Sequence, residues 1–558
     1  MANRTLSLWQ MLLLLAVAFV VFWPGQTDLP PIDRDESRYI QATVQMLESG
    51  DFIDIRFQDH PRYQQPVGIY WLQSAAVWLL SDPADREVWA HRVVSLLGAM
   101  AAVLMTAVIG ARLFGPRIGM LAGMLFTATV LLGIEARLAK TDAMLLVAIL
   151  VAIYGILRAY ELRDVPERVP WPWAMAFWAA LACGVMIKGP VVLMVAGLTG
   201  LALVVLERRF LWLFALRPIA GVALFFAMVL PWFIAIDRLT DGAFFARSAG
   251  DNMFDKLFSG QQGHGAPPGT YLLMGIGTLW PMGQGLVLAV PWIWRQRKVP
   301  EVRFCLAWAV PFWVTFEIIV TKLPHYILAS VPALAILTAA AIGTLGPTLL
   351  THGRWARFWR YPVLVGFVGV GVGLAVIPAV LRHWLDGGFD IVAIAAALVG
   401  LLAVFGAVRA LFQREIAHVA WTAPLLTLLV FSFNMLFVMP RVDTIFFYRE
   451  IAPTAAAVAP CADYQVMAAP LDLESVVYLN GTDTVLEDTE LLAAALRGLG
   501  DRCAVMFLTD DAREAVFAEV TDPTLELAYT GRRVGGFNFS NGRWYDLGVY
   551  TARRRTSP

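Results

Sequence analysis

Thirteen apolar runs, each near the length that a helix needs to cross a bilayer, constrain this chain more than any other feature. The chain is 59% hydrophobic and only 15% charged, against about 25% charged residues in an average soluble protein. No small-x-small cleavage site precedes Pro24, so the first run is taken as a retained helix. The pattern predicts a polytopic α-helical membrane protein with about thirteen transmembrane helices, at roughly 6–23, 88–112, 117–135, 142–160, 172–187, 190–206, 218–236, 270–291, 303–320, 325–345, 361–381, 390–410 and 419–439.

Basic residues mark every second connection between these runs. Examples are Arg4, the pair Arg208-Arg209, the stretch 295–298 and the stretch 354–360. The positive-inside rule places these connections in the cytoplasm. We therefore predict a cytoplasmic N-terminus, a long periplasmic loop at 24–89 and a periplasmic C-terminus, in a bacterial inner membrane.

Composition changes after Pro440, and the chain divides there into a membrane domain, 1–440, and a soluble domain, 441–558. In the second part, strands at 464–468 and 503–508, helices at 473–479, 487–499 and 511–519, and late strands predict a small α/β domain. Within the loop 24–89, the stretches 33–51 and 64–80 have the pattern of interfacial helices rather than spans. The formal net charge is zero, which argues against a nucleic-acid partner.

Two of the four cysteines lie in the predicted outer domain, near the starts of strands. Adjacent strands bring Cα atoms within the roughly 4.4–6.8 Å that a disulfide needs, so a bond between Cys461 and Cys503 is one expectation. Buried free thiols are the alternative. Cys183 and Cys305 fall in apolar runs and are expected to be packing residues.

Charged residues from distant segments map to the same outer edge of the helices. Charge at a hydrocarbon boundary is costly, so such groups face a cavity, cap helices or pair with each other. Lys188 is the sharpest case, because it lies in MIKGP between two apolar helices and needs an anion. The set indicates an anionic lipid-linked ligand at the outer leaflet and consists of Asp35, Glu36, Glu135, Arg137, Lys140, Asp142, Lys188, His264 and Lys322.

Six stretches carry a resemblance to a known family. In order they are DESRYIQATVQMLESGDF, YQQPVGIYW, AKTDAML, MIKGP, GHGAPPGTY and KLPHYIL, spread over residues 35–328. Together they resemble the aminoarabinose lipid A transferases, which are protein-mannosyltransferase-like membrane glycosyltransferases with the GT-C fold. The resemblance implies transfer of a sugar from undecaprenyl phosphate to lipid A, the lipopolysaccharide core or another envelope acceptor at the periplasmic face.

The resemblance also assigns roles to individual residues. It implies catalytic roles for Asp35, Glu36 and Asp142. It implies that Lys188, Lys322 and Tyr326 contact the donor phosphate, and the pattern of charges adds Lys140 and Arg137 as candidate phosphate-binding cations. The substrate loop would contribute Tyr63, Gln64 and Gln65, and His264 would be associated with a metal.

One stretch departs from the family pattern. The family's Glu-Lys-Pro, whose Glu helps to hold a divalent metal and whose Lys contacts the lipid phosphate, is here Gln64-Gln65-Pro66. A carboxamide supplies neither charge, so we expect that no divalent metal is held through the first loop, and we expect Lys140 or Lys322 to supply the missing positive charge. Asp59 and His60, a few residues upstream, are possible replacement ligands.

Two other functions stay open at this stage. A transporter or flippase of lipid-linked sugars would place charges near the midplane and show paired structural repeats, and neither is visible. A catalytically impaired binding homologue remains compatible with Gln64 and Gln65. For the transferase, the expected reaction is an inverting displacement at the anomeric carbon, with Asp35 as general base if the acceptor is a hydroxyl.

Overall fold

Helices make up most of the structure, a computed structural model that describes residues 4–165, 167, 169–248, 265–351, 353–486, 488–520 and 522–555. Within these ranges, eight helices are long and apolar enough to cross a membrane unaided. They are Val88–Phe114, Asp142–Glu161, Trp171–Lys188, Pro218–Leu239, Pro324–Leu350, Gly353–Asp386, Ile391–Phe412 and Ala423–Arg441.

The other five predicted membrane segments are also helical, but they are short, broken or partly polar. The segment predicted at 270–291 is not one helix, because it divides at Trp280-Pro281, where proline has no N–H to continue the ladder. The segment predicted at 117–135 divides near Ala128. The five segments correspond to Leu8–Phe22, to the pair Pro116–Thr127 and Val130–Glu135, to Val191–Glu207, to the pair Thr270–Thr278 and Met282–Gln296, and to Pro300–Ile318.

Several membrane helices also contain non-α turns. Pro324–Ser330 is a 3₁₀ helix that runs into the α-helix Val331–Leu345, and Gly346–Leu350 is again 3₁₀. The last membrane segment passes from Ile416–Trp421 and Ala423–Thr427 through the π-turn Leu428–Ser432 to Phe433–Phe437. We call the end of the helices that carries the segment 24–89 the loop face.

The segment 24–89 folds against the loop face. Its two predicted interfacial helices are present, at Asp35–Ser49 and Gly68–Leu80. A short antiparallel pair, β1 (Arg56–Phe57) and β2 (His60–Pro61), lies between them. The helix Asp35–Ser49 begins with two acidic residues and ends at Gly50 with φ of 70°, which suits the helix dipole and a glycine C-cap.

The C-terminal domain has the predicted α/β character. Its sheet has the order β3-β4-β6-β5, with β3 (Tyr464–Ala469) parallel to β4 (Cys503–Leu508) and the other pairs antiparallel. Strands β5 and β6 are Leu525–Asn538 and Arg543–Arg554. Four helices pack on the sheet: Ile451–Val458, Glu474–Asn480, Thr489–Arg497 and Asp510–Glu519. A disulfide joins Cys461 to Cys503, whose Cα atoms are 6.1 Å apart, so the predicted bond is present.

The C-terminal domain docks on the first loop helix rather than standing apart. Arg38 pairs with Glu474, and the side-chain amide of Gln41 donates to Thr482 at 2.9 Å. The hydroxyl of Tyr448 donates to the carbonyl of Pro31 at 2.7 Å. These contacts fix the position of the helix on which Asp35 and Glu36 lie.

Candidate functional site

A cavity of about 520 Å³ opens beneath the loop at the loop face. Its polar end is formed by the turn at Gln64-Gln65, the start of the helix at Asp142, the end of the helix at Lys188, and His325-Tyr326. The rest of its wall is apolar and includes Leu193, Phe233, Phe244, Phe316 and Leu328. Such a lining suits a ligand with a charged head and a hydrocarbon tail.

An ion pair between Asp142 and Lys188 lies at the polar end. The Lys188 Nζ is 2.7 Å from an Asp142 carboxylate oxygen. Asp142 begins the helix Asp142–Glu161 and Lys188 ends the helix Trp171–Lys188, so each charge has the sign that the neighbouring helix dipole favours. Two helix ends therefore present opposite charges to one cavity.

The substrate loop reaches this ion pair through a close backbone approach at Gly68. A Cβ at Gly68 would lie 2.7 Å from the carbonyl oxygen of Met186, so only glycine lets the loop pack against the turn before Lys188. The approach brings Gln64 and Gln65 to the cavity wall.

Arg62, which the sequence reasoning missed, is buried just before the two glutamines. Its guanidinium donates to the hydroxyl of Tyr70 at 3.1 Å and to the side-chain oxygen of Gln64 at 3.4 Å. It also stacks over the ring of Tyr39 at 4.9 Å. A fixed positive charge therefore stands beside Gln64.

Asp35 has an exposed carboxylate that makes no hydrogen bond or ion pair with any residue that the structure describes. It is not part of the cavity wall, but its charge acts on Arg62, Lys140 and Tyr326. Its oxygens thus keep their full capacity to accept a proton or a hydrogen bond from a substrate.

Glu36, the residue after Asp35, has no acceptor capacity left for a substrate. Its two oxygens accept from Arg92 at 2.8 Å each, from the backbone N–H of Ala139 at 2.8 Å and from that of Ile32 at 2.7 Å. The side chains of Glu36 and Arg92 are 1% and 0% exposed. The geometry gives Glu36 a positioning role instead of the predicted catalytic one, since it ties the loop helix to the membrane helix Val88–Phe114.

Arg137 and Lys322, two of the predicted phosphate-binding cations, donate their hydrogen bonds to protein groups away from the cavity. The buried guanidinium of Arg137 donates to the carbonyls of Pro24 at 2.7 Å, Val21 at 2.6 Å and Gly133 at 2.5 Å, and to Ser432. The Nζ of Lys322 donates to three carbonyls at the end of the helix Pro300–Ile318, at 2.5 to 3.3 Å. Neither side chain lines the cavity, so the structure does not bring them to a donor phosphate.

Lys140 lies behind the cavity wall in a network of charges. Its Nζ is 3.0 Å from a Glu135 oxygen and 3.9 Å from an Asp142 oxygen. His325, which lines the cavity, has its Nδ1 4.0 Å from Glu135. Sequence reasoning included Glu135 in the outer-edge charges but gave it no role of its own. It missed His325, which lies inside the quoted stretch KLPHYIL.

The two predicted tyrosines differ in position. Tyr326 lines the cavity. Tyr63 does not, because its hydroxyl donates to Asp54 at 3.0 Å and its ring packs edge-on against Phe244. Burial, together with the bond to Asp54, raises the pKa of Tyr63 to about 12. Tyr63 supports the wall that Phe244 forms and stays neutral at any physiological pH.

The described residues at the loop do not fit a divalent metal. His264 lies outside the described residues. Among those described, no three His, Cys, Asp or Glu side chains converge as a ligand set. The position where the family has a glutamate is a neutral amide held beside the Arg62 guanidinium, and a cation there would meet a like charge.

The fold is that of a GT-C membrane glycosyltransferase. The crystal structure of ArnT from Cupriavidus metallidurans bound to undecaprenyl phosphate superposes with a TM-score of 0.75, covering 97% of both chains at 19% identity. The apo structure of the same protein gives a TM-score of 0.72. The match extends over the membrane domain and the C-terminal domain together.

Sequence comparison narrows the class. The family model for dolichyl-phosphate-mannose-protein mannosyltransferase matches residues 7–240. The undecaprenyl phosphate-alpha-4-amino-4-deoxy-L-arabinose arabinosyl transferase of Edwardsiella ictaluri is 28% identical over 426 residues, which are 73% of each chain. That of Aeromonas salmonicida is 27% identical over 437 residues, 76% of each chain. The chain is a multi-pass inner-membrane glycosyltransferase with the GT-C fold, and its sequence is similar to those of the aminoarabinose transferases.

Proposed function

We propose that this protein transfers a sugar from a polyprenyl phosphate, of the undecaprenyl class, to lipid A, the lipopolysaccharide core or another envelope acceptor. The observation that supports this most directly is the two-part lining of the 520 Å³ cavity. Lys188 offers a cation at its polar end, and the apolar wall offers a path for an isoprenoid chain. The similar ArnT structure was obtained with undecaprenyl phosphate.

In the proposed reaction the acceptor oxygen attacks the anomeric carbon of the sugar. A new carbon–oxygen bond forms as the bond from that carbon to the phosphate oxygen breaks, and the electron pair leaves with the polyprenyl phosphate. Lys188 stabilises the negative charge that grows on this phosphate. If the acceptor is a hydroxyl, its proton passes to Asp35; a phosphate acceptor is already a nucleophile.

Lys188 must exchange partners for this to work. In the structure its ammonium is paired with Asp142 at 2.7 Å. A phosphate that displaces the Asp142 carboxylate from Lys188 leaves this carboxylate free to accept a hydrogen bond from a sugar hydroxyl. Lys140, 3.9 Å from Asp142, keeps that carboxylate compensated during the exchange.

The loop face is proposed to be periplasmic, with the N-terminus in the cytoplasm. The alternation of basic connections supports this orientation. The disulfide between Cys461 and Cys503 also suits an oxidising compartment. A reporter that is active only in the cytoplasm should be silent after Pro558; strong activity would reverse the orientation.

The proposed reaction does not need a metal held by the first loop, because Gln64 beside Arg62 is a poor cation ligand. Chelator treatment of the purified protein should leave turnover intact. Loss of turnover that zinc restores would refute this part of the proposal.

The deciding experiment is an assay with purified protein and radiolabelled polyprenyl-phosphate sugars. A transferase moves label to an acceptor fraction. A flippase moves the donor across a vesicle bilayer without transfer, and an impaired homologue only binds it. Transport or binding without any transfer would overturn the proposal.

A further inference from the structure

A second cavity, of about 250 Å³, lies in the membrane domain far from the loop face. It is bounded by the helices Met282–Gln296, Val331–Leu345, Gly353–Asp386 and Ile391–Phe412 and by the short helix Ile416–Trp421. Most of its wall is apolar, with Leu288, Ile342, Leu364 and Val419 as examples. Nothing in the proposed transfer reaction uses it.

The mouth of this cavity is basic and lies near the start of the helix Gly353–Asp386 and the end of the helix Ile391–Phe412. Arg360 and Arg414 belong to its lining, as do the strongly exposed Tyr361 and Phe412. The Arg414 guanidinium makes no hydrogen bond or ion pair with any described residue. Arg360 donates to the hydroxyl of Tyr361 at 3.0 Å. Glu415, next to Arg414, is an acid in the same connection, so the mouth remains net positive.

We infer that this cavity binds an anionic glycerophospholipid of the leaflet opposite the loop face. Its phosphate would lie between Arg360 and Arg414, and part of one acyl chain would fill the apolar wall. A basic mouth between transmembrane helices is the arrangement that recognises anionic headgroups. Glycerophospholipids form the bulk of that leaflet, so a site of modest affinity is filled by mass action.

Such a lipid would stabilise a weakly packed element. The helix Gly353–Asp386 is the longest in the described chain, yet only 22% of its apolar 18-residue stretch is buried. The cavity separates part of this helix from Met282–Gln296 and Val331–Leu345. An acyl chain in this space supplies contacts that protein side chains do not make.

The test is native mass spectrometry of the full chain titrated with phosphatidylglycerol or phosphatidylcholine in detergent. The wild type should retain phosphatidylglycerol in preference to phosphatidylcholine. The double variant Arg360→Ala with Arg414→Ala should weaken this binding by about fivefold for each arginine. The matched control, Arg354→Ala with Arg357→Ala, removes two exposed arginines near the same helix start that do not line the cavity, and it should bind as the wild type does.

A second variant tests the acyl-chain part of the site without touching charge. Leu364→Trp should narrow the cavity and lower phosphatidylglycerol binding while both arginines remain. Three outcomes would overturn the inference: equal loss in both arginine pairs, equal binding of phosphatidylcholine, or no effect of Leu364→Trp. Displacement of phosphatidylglycerol by equimolar undecaprenyl phosphate would also overturn it, since the cavity would then belong to the carrier lipid. Micelles reach both faces, so the result does not depend on the proposed orientation.

Discussion

The charged residues at the loop face fall into two groups that differ in how much hydrogen-bonding capacity remains. The scaffold charges, Glu36, Arg92, Arg137 and Lys322, are buried, and protein carboxylates, carbonyls and backbone amides surround them. The cavity charges are Asp142 and Lys188, whose ion pair at the cavity a ligand can replace. We group Asp35 with them, because its carboxylate, although outside the cavity wall, is exposed and has no described partner.

This difference separates two functions that look alike in the sequence. A saturated charge holds backbone segments together and has nothing left for a substrate. A charge beside a cavity that lacks hydrogen-bond partners lowers the stability of the folded protein. Such a charge is retained where the ligand that it binds supplies the missing partners. Each group therefore predicts its own mutational signature: lost folding for the scaffold charges, and lost turnover or binding for the cavity charges.

Asp35→Asn should have the largest effect on turnover. Removing a general base lowers the rate by about 10²–10⁴-fold. The thermal midpoint should change little, because the carboxylate has no described partner and its interaction with the helix dipole is worth only about 0.3–1 kcal/mol. Asp28→Asn is a matched control, since Asp28 is an exposed acid of the same loop that, among the described residues, accepts only from Thr27. Near-normal turnover of Asp35→Asn would remove Asp35 from the chemistry and favour a phosphate acceptor.

Glu36→Gln should unfold the protein rather than slow the reaction. It leaves the buried Arg92 without its counter-charge, a change that costs about 3–5 kcal/mol. Glu161→Gln breaks a partly exposed pair with Arg112 and should cost about 1 kcal/mol or less. Thermal midpoints in detergent, with turnover normalised to folded protein, separate the two effects. A well-folded but inactive Glu36→Gln would move Glu36 into the cavity group.

Much of this fold follows from the sequence, because a bilayer dictates the length of apolar runs and the positions of basic connections. The breaks near Ala128 and Pro281 were missed, since hydropathy averages over such local defects. Lys188 could be identified because few environments tolerate a lysine between two apolar helices. Asp142 was among the outer-edge charges of the sequence and the resemblance added Tyr326; both line the same cavity.

The division between scaffold and cavity charges could not be predicted. Asp35 and Glu36 are adjacent, and on a helix consecutive side chains point about 100° apart. Which of them meets Arg92 depends on how the helix is rotated, and that is a tertiary property. The partners of Arg137 include Val21 and Ser432, which are distant in sequence, and carbonyl acceptors leave no trace in a residue pattern.

Lys188→Ala should weaken donor binding with a smaller change in folding. Loss of a charge-assisted bond is worth about 1.5–3 kcal/mol, or about tenfold or more in affinity. Lys322→Ala provides the contrast, because its ammonium caps carbonyls, and it should lower the thermal midpoint without changing donor affinity. Lys298→Ala, on the opposite face, should change neither. If Lys322→Ala loses donor binding at full stability, Lys322 belongs to the cavity group.

The smallest effect is expected for a carboxyl group that has a hydrogen bond to only one of its two oxygens. It lies at the junction of the loop with the C-terminal domain. Asp33 accepts from the backbone N–H of Ser475 at 3.1 Å, but its other oxygen has no partner among the described residues. Burial, and then the negative charge of Glu474, raise the pKa of Asp33 from 3.8 to about 7. Arg38 pairs with Glu474, whereas Asp33 has no ion pair among the described residues, and Tyr448 is a further neighbour of Asp33.

A raised carboxyl pKa makes the folded state bind more protons than the unfolded one between these two values. Its contribution to stability is therefore complete below about pH 4 and is lost as pH rises through about 7. Asp33→Asn should flatten the slope of the free energy of unfolding against pH across pH 5–7, by no more than about 1.4 kcal/mol per pH unit. Asp472→Asn, an exposed acid two residues from Glu474, should leave the slope as in the wild type. An unchanged slope in Asp33→Asn would mean that the Asp33–Glu474 contact is saturated and belongs with the scaffold charges.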